Sequence, residues 1–342
     1  MAKHSRHLPA LLALGLLLGL CLAILGAGEM LVRGAGWRPW SPADPGVQVT
    51  PGGRVARLHP TLGYTHLPGR FTVTLADGFT FSMTHGPDTL RITSAVDPGA
   101  PDGRPEIWIL GCSATHGWSL NDNETYPWLL QEKFPRYRVL NFGVSGYGTL
   151  QSLIQFREAL ATARPKPRLV ILAYGDFHDA RNTLARQRRK EVAPWNRLGP
   201  LRQPYARLAP NGQLQLAMTD VQFTEFPFMT SSALIDKLES TYNGFEVAFL
   251  DSHQVSEALV LQINKLARDN GSTFILAGIW NSALTKDMLE YAEGEHLRAL
   301  DISVDTRRSE YNNLPHDIHP SALANRHYAD QLGNYLTGQG LL

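Results

Sequence analysis

From residue 106 to the C-terminus, short apolar runs alternate with stretches whose apolar positions return every three or four residues. "EIWILG" (106–111) is followed by "ETYPWLLQEKF", "YRVLNFG" (137–143) by "TLQSLIQFREALA", and "RLVILAY" (168–174) stands third. "FEVAFLDSHQVSEALVLQINKLA" (245–267) then precedes the strand "STFILAGI", and "LRALDIS" precedes a last helix, "SALANRHYADQLGNYL". Strands apolar on both faces, alternating with amphipathic helices, predict a three-layer α/β/α doubly wound parallel sheet. In such sheets ligands sit beyond the carboxyl ends of the strands, so chemistry should follow strands.

Two regions break this rhythm and one precedes it. Residues 31–105 are rich in Gly and Pro, and "RFTVTLADGFTFSMT" alternates apolar and polar positions around Asp77-Gly78, which predicts a small β-hairpin over about 70–85. Residues from about 184 to 240, basic at "RQRRK" and then rich in Pro, Asn and aromatics, read as an insertion forming a lid or substrate wall. The basic run itself is expected as a solvated helix face. Ahead of both, Lys3 and Arg6 precede an uncharged apolar run from Leu8 to Gly28. That is about the ~20 residues a bilayer requires, and longer than the ~7–15 of a signal peptide. The expected organisation is a membrane anchor over 1–30, a linker with a β extension over 31–105, and the main domain over 106–342. Basic residues before the anchor place the N-terminus in the cytoplasm and the rest of the chain outside it.

Composition narrows the partners. A net charge of +1 with 18% charged residues provides no field that would recruit nucleic acid. The two cysteines, Cys21 in the apolar run and Cys112 in the main domain, do not suggest a disulfide framework. Leu20 is too large for Cys21 to be a lipid-modified N-terminus. Oligomeric state is not legible.

Three motifs carry candidate chemistry. "GCSATHG" follows the first strand and sets Ser113 in a Gly-flanked turn where its N–H has no intrahelical partner. "HDIHPSALANRHYA" puts Asp317 and His319 in a loop before the last helix, where a carboxylate beside an imidazole suits a general base. The same loop serves equally as a helix start capped by Ser321. "NFGVSGYGT" is a glycine-rich turn after the second strand whose backbone N–H groups can approach a ligand.

In their order and spacing these blocks resemble the SGNH (GDSL-like) hydrolases over about residues 106–335, and "HPTLGYTHLPGRF" and "NDNETYPWLLQEKFP" are similar to membrane-anchored bacterial members. The resemblance implies Ser113 as nucleophile, His319 as base, and the Ser113 and Gly146 N–H groups as oxyanion donors. Three positions depart from the family pattern. Cys112 stands where the family has Asp. In Tyr174-Gly175-Asp176-Phe177-His178-Asp179, His178 occupies the position of the oxyanion Asn, and an imidazole N–H can donate as an amide does. The family's Asp lies three residues before the catalytic His, where this chain has His316; Asp317, one residue later, takes the orienting role, as in some polysaccharide O-acetylating relatives. His316, Asp179, Arg181 and Asn182 are candidates for supporting or substrate-contacting positions.

The implied reaction is ester hydrolysis on a carbohydrate or lipid ester through an acyl-enzyme. An O-acetyltransferase acting on envelope polysaccharide shares that intermediate. A non-catalytic carbohydrate-binding protein is the reading from another class, motivated by the three departures. His116 and His178 lack the ligand spacing of a zinc site, so neither metal nor cofactor is expected.

Overall fold

A computed structural model describes residues 8–41, 46–95, 102–162 and 164–342. Its helices are α1 (Leu8–Gly34), α2 (Ser113–His116), α3 (Tyr126–Lys133), α4 (Thr149–Leu160), α5 (Phe177–Asn182), α6 (Arg186–Val192), α7 (Ala233–Phe249), α8 (Ser252–Asp269), α9 (Ala283–Gly294) and α10 (Ala322–Gly338). By α-carbon packing the chain forms two compact units, Met1–Ala43 with Phe223–Glu246, and Asp44–Gln222 with Val247–Leu342.

In the larger unit five parallel strands form one sheet: β1 (Glu106–Leu110), β2 (Arg138–Asn141), β3 (Leu169–Tyr174), β4 (Thr273–Gly278) and β5 (Arg298–Asp301). Their spatial order is β2-β1-β3-β4-β5, a doubly wound sheet whose order reverses at β1. The apolar runs predict four or five strands, and each of the five observed strands coincides with one of them. Side chains alternate across the sheet because successive residues of a strand point to opposite faces. Trp108 and Leu110 of β1 pack with Leu150, Leu153, Val255, Leu259 and Met288 from α4, α8 and α9. Ile107 and Ile109 pack with Leu130, Tyr328 and Leu332 from α3 and α10. Both layers are fully formed, which is why these strands carry no polar alternation.

The stretch 245–267 is divided between two helices, because Asp251 adopts φ 48° between the end of α7 and the start of α8. The apolar periodicity runs through that break and gives no sign of it.

The 31–105 region holds the expected hairpin, Gly69–Thr74 with Thr80–His85, widened by Gln48–Thr50 into a three-stranded antiparallel sheet. A second pair joins Ala56–His59 to Gly63–His66. Arg91, fully buried, ties this extension to the turn after β1: it donates to the carbonyls of His116 (2.9 Å), Gly117 (2.5 Å), Leu120 (2.7 Å) and Ser82 (3.3 Å) and pairs with Asp122 at 3.0 Å. The insertion contains α6 and an antiparallel hairpin, Arg202–Leu208 with Leu214–Asp220.

In the smaller unit α1 is exposed along its length, and Ala10–Gly34 is long and apolar enough to cross a membrane. Glu29 near its end accepts from the Ser232 hydroxyl (2.7 Å) and from the Ala233 and Leu234 N–H groups (both 2.9 Å), capping the start of α7. From there α7 turns Leu238, Tyr242 and Phe245 outward and buries Glu239, the reverse of a water-facing helix.

Candidate active site

Strand β1 is followed by Gly111-Cys112, and Ser113 opens the one-turn helix α2 directly after them. The Ser113 hydroxyl lies 2.9 Å from His319 Nε2. Behind His319, its Nδ1–H donates to Asp317 Oδ1, and the same carboxylate oxygen accepts the His319 backbone N–H at 2.7 Å. Asp317 Oδ2 accepts the Trp118 indole N–H at 3.2 Å. The structure therefore brings Ser113, His319 and Asp317 into one hydrogen-bonded line. Partial burial alone would raise the Asp317 carboxyl; the His319 side chain and N–H, with the Trp118 indole, outweigh it and hold the group below the usual carboxylate range.

The Asp-x-His spacing follows from the backbone. Asp317–Pro320 is a short extended segment paired with Asn312–Asn313. Residues two apart on an extended segment share a face, so Asp317 and His319 point the same way. His316 points elsewhere: its Nδ1 bonds Asp77 and its ring stacks on Phe79 at 4.5 Å, on the extension hairpin. Ser321 does cap α10, accepting from Ala324 N–H at 3.3 Å. The two readings of this loop hold together, because the cap and the His319 contact use different residues.

The glycine-rich turn after β2 lies against α2. A Cβ at Gly143 would fall 2.4 Å from His116 N, so only glycine allows that approach. Asn141 reinforces it, donating to Thr115 O and accepting from Gly143 N–H, both at 2.9 Å. Gly146 has φ 81°, and a Cβ there would meet the Tyr64 hydroxyl at 2.4 Å. Its carbonyl is held by Arg188 Nη2 at 2.6 Å, which fixes the peptide.

Ser113, His319, Gly146, Ser145 and Trp118 line one cavity of about 340 Å³ with Tyr64, His66, Arg54, Arg181, Arg188 and an apolar wall of Val47, Val49, Val55 and Ala56. His178 is not among the lining residues. Its ring is fully buried, Nδ1 lies 3.2 Å from the Thr149 hydroxyl, and Nε2 is enclosed without a partner among the described residues. Burial first, and Arg181 next, keep that imidazole neutral, well below its ordinary value. Asp179 also turns inward, accepting from Tyr174 (2.6 Å), Ser256 (2.5 Å) and His253 (2.8 Å). Asn182 joins α4 to α8, accepting from Leu150 N–H and donating to Ser256, both at 2.9 Å. Of the four supporting candidates, only Arg181 reaches the cavity. Cys112 is fully buried in the layer beneath α10.

Several lining residues lie outside the three motifs read for chemistry. Tyr64 and His66 come from the extension, and Arg188 from the basic run expected to face solvent, yet Arg188 is only 4% exposed. His116 pairs with the extension rather than with His178: its Nε2 lies 3.0 Å from His85 Nε2 and its Nδ1 3.3 Å from the Ser145 hydroxyl. His66 stacks on His85 at 4.2 Å, 5° from parallel. The ligand-capable atoms of the three imidazoles lie within 4.8 Å of one another. Parallel stacked rings cannot both hold one ion in their planes, and His85 Nδ1 is already spent on Leu67 O at 2.9 Å. The trio is a buried neutral network: burial first, then Arg91, pushes His85 down to about 3, and burial with the neighbouring imidazoles and Arg91 holds His66 and His116 far below their usual value.

The structure is similar to a GDSL-like lipase from Bacteroides thetaiotaomicron (13% identity, TM-score 0.39, 70% of this chain and 91% of that one). It is also similar to a putative acylhydrolase from Bacteroides fragilis (13%, 0.38, 72% and 93%) and to an active-site mutant of a family two carbohydrate esterase from Clostridium thermocellum (9%, 0.40, 71% and 67%). No protein-family model and no curated protein matches the sequence. Likeness of this degree carries no conclusion about chemistry, which rests on the side chains described above.

Proposed function

We propose that the chain is a serine esterase that works through an acyl-enzyme at Ser113. The observation that carries this reading is the Ser113 Oγ to His319 Nε2 separation of 2.9 Å, with Asp317 bonded behind the imidazole and the serine open to a cavity. A binding protein has no use for a serine, an imidazole and a carboxylate in line.

The steps follow from these positions. Asp317 keeps the proton on His319 Nδ1 and so leaves the Nε2 lone pair toward Ser113. As Ser113 Oγ forms a bond to the ester carbonyl carbon, its proton passes to Nε2 and the carbonyl electrons move onto oxygen. The Ser113 and Gly146 N–H groups, neither with a protein partner among the described residues, receive that charge. Collapse breaks the carbon–alkoxy bond, and Nε2 returns the proton to the leaving alcohol. Water then repeats the sequence on the acyl-Ser113 ester and frees the acid. His178, enclosed away from the cavity, is left out of the donor set, so two backbone donors carry the oxyanion.

Membrane attachment belongs to the same proposal. The apolar length of α1 and the outward apolar face of α7, capped by Glu29 of α1, fit a chain anchored in a bilayer with the serine on the extracytoplasmic side. The direct test is hydrolysis of para-nitrophenyl acetate by the full chain in neutral detergent. Turnover abolished by both Ser113→Ala and His319→Ala is the expected result; a folded wild type without turnover, or turnover that survives Ser113→Ala, refutes the proposal.

A further inference from the structure

The cavity beside Ser113 is cationic. Arg54, Arg181 and Arg188 line it, and no carboxylate does among the described residues. Asp317 is engaged by His319 and Trp118, and Glu191 pairs with Arg188 Nη1 at 3.3 Å, so among the three arginines Arg188 has a carboxylate partner.

The three guanidiniums are not equally engaged. Arg188 is 4% exposed; its Nη2 serves the Gly146 carbonyl (2.6 Å) and the Tyr64 hydroxyl (3.0 Å), and its Nε is buried without a partner among the described residues. Arg181 spends Nη1 on Tyr147 O at 3.1 Å and lies over the Phe177 ring at 4.6 Å. The Tyr147 carbonyl and the Phe177 ring hold the guanidinium from two sides, while Nε and Nη2 have no protein partner among the described residues. Arg54 is exposed at the opening, likewise without a protein partner there. A guanidinium held in this way with two adjacent donors free is prepared for two parallel bonds to an oxyanion. A buried donor left unpaired, as Arg188 Nε is among the described residues, is costly to keep, and Arg54 and Arg181, which have no carboxylate partner among the described residues, add positive charge at the same cavity that an entering anion offsets.

We propose that the cavity binds esters that also carry an anionic group, a carboxylate or a phosphate. Arg181 takes that group in two parallel hydrogen bonds, Arg54 meets it at the opening, and Arg188 supplies fixed positive charge beneath. The wall of Val47, Val49 and Val55 takes the uncharged part of the molecule. The assignment names the substrate class of the esterase site and rests on that reading for the reaction, although not for binding.

Binding is therefore measured without turnover, by calorimetry on the full-length Ser113→Ala chain in neutral detergent. The probes share one ester and differ in charge: para-acetoxybenzoate, para-acetoxyphenyl phosphate and the uncharged para-acetoxybenzamide. At least one anion should bind about ten-fold or more tightly than the amide. That ratio should shrink in Arg181→Gln, further in Arg181→Gln with Arg54→Gln, and in about 0.5 M salt, where the screening length is only a few ångströms. Whichever anion binds more tightly identifies carboxylate or phosphate as the natural group. An amide that binds as tightly as both anions, or a preference that survives the double substitution, overturns the proposal. The two readings fail separately. A wild type that hydrolyses para-nitrophenyl acetate while showing no anion preference in the Ser113→Ala chain refutes only the substrate class. An anion preference in a chain whose wild type hydrolyses nothing refutes only the esterase.

Discussion

Two sets of histidines lie beyond the end of β1, and they differ in surroundings rather than in side chain. His319 is 28% exposed in its side chain, faces the cavity, and has a carboxylate bonded to Nδ1. His66, His85 and His116 are 3%, 2% and 0% exposed, have no carboxylate partner among the described residues, and lie close to the buried Arg91 charge. The first arrangement stabilises an imidazolium at the moment a proton arrives; the second penalises one. A base needs the first, and an internal hydrogen-bonded brace between the extension and the Ser145 turn needs the second. Proximity to the serine alone does not make a histidine catalytic.

The contrast can be broken most severely on the activity side. His319→Ala and Ser113→Ala should each lower kcat on para-nitrophenyl acetate by about 10⁶-fold. His85→Gln, which keeps an acceptor for His116, should change kcat by less than about ten-fold, since no proton in the reaction passes through it. A His85→Gln loss comparable to that of His319→Ala would place the buried network in the reaction and void the distinction.

Removing the carboxylate tests what separates the two sets. Asp317→Asn leaves the Ser113–His319 contact in place and removes the group that fixes the His319 proton on Nδ1, so kcat should fall about 10⁴-fold. Little effect would mean that His319 needs no orienting acid. A smaller loss is expected at the oxyanion turn. In Gly146→Ala a side chain must enter at φ 81° against the Tyr64 hydroxyl, which shifts the N–H and should cost about 10²- to 10³-fold in kcat, with denaturant midpoints reporting any loss of fold.

The mildest effect is on stability against pH. The folded-state values of the three buried histidines lie below the ordinary 6.5, with His85 at about 3, so the unfolded chain binds more protons in acid. Their contribution is fully present above pH 6.5 and is lost progressively as pH falls toward about 3. Urea midpoints recorded from pH 7 downward should fall over that window, and His85→Gln should flatten the slope. An unchanged slope would show that the cluster does not hold its imidazoles neutral.

How much of this was legible depended on whether the signal was local. The five strands were readable because each is covered on both faces and so is apolar throughout. Ser113, Gly146 and His319, the residues of the proposed site, could be picked out because each lies in a short motif between a strand and a helix. The break at Asp251 was not, since one left-handed residue leaves the apolar periodicity intact. Tyr64 and His66 were missed because a pairing in the extension carries them into the site from some fifty residues upstream of Ser113. The position of His178 could be read, but its burial could not: nothing in "GDFHDA" tells which way the ring turns from α5. Arg188 misled for the opposite reason. A basic run looks solvated, and only the fold reveals that one member of it turns under Gly146.

The central claim is that Ser113 is activated. Incubating the full chain with a fluorophosphonate and mapping the adduct by peptide mass spectrometry tests it without knowledge of the substrate. The account predicts a single adduct on Ser113, absent in His319→Ala. An adduct on another serine, or none on a folded wild type, would contradict it.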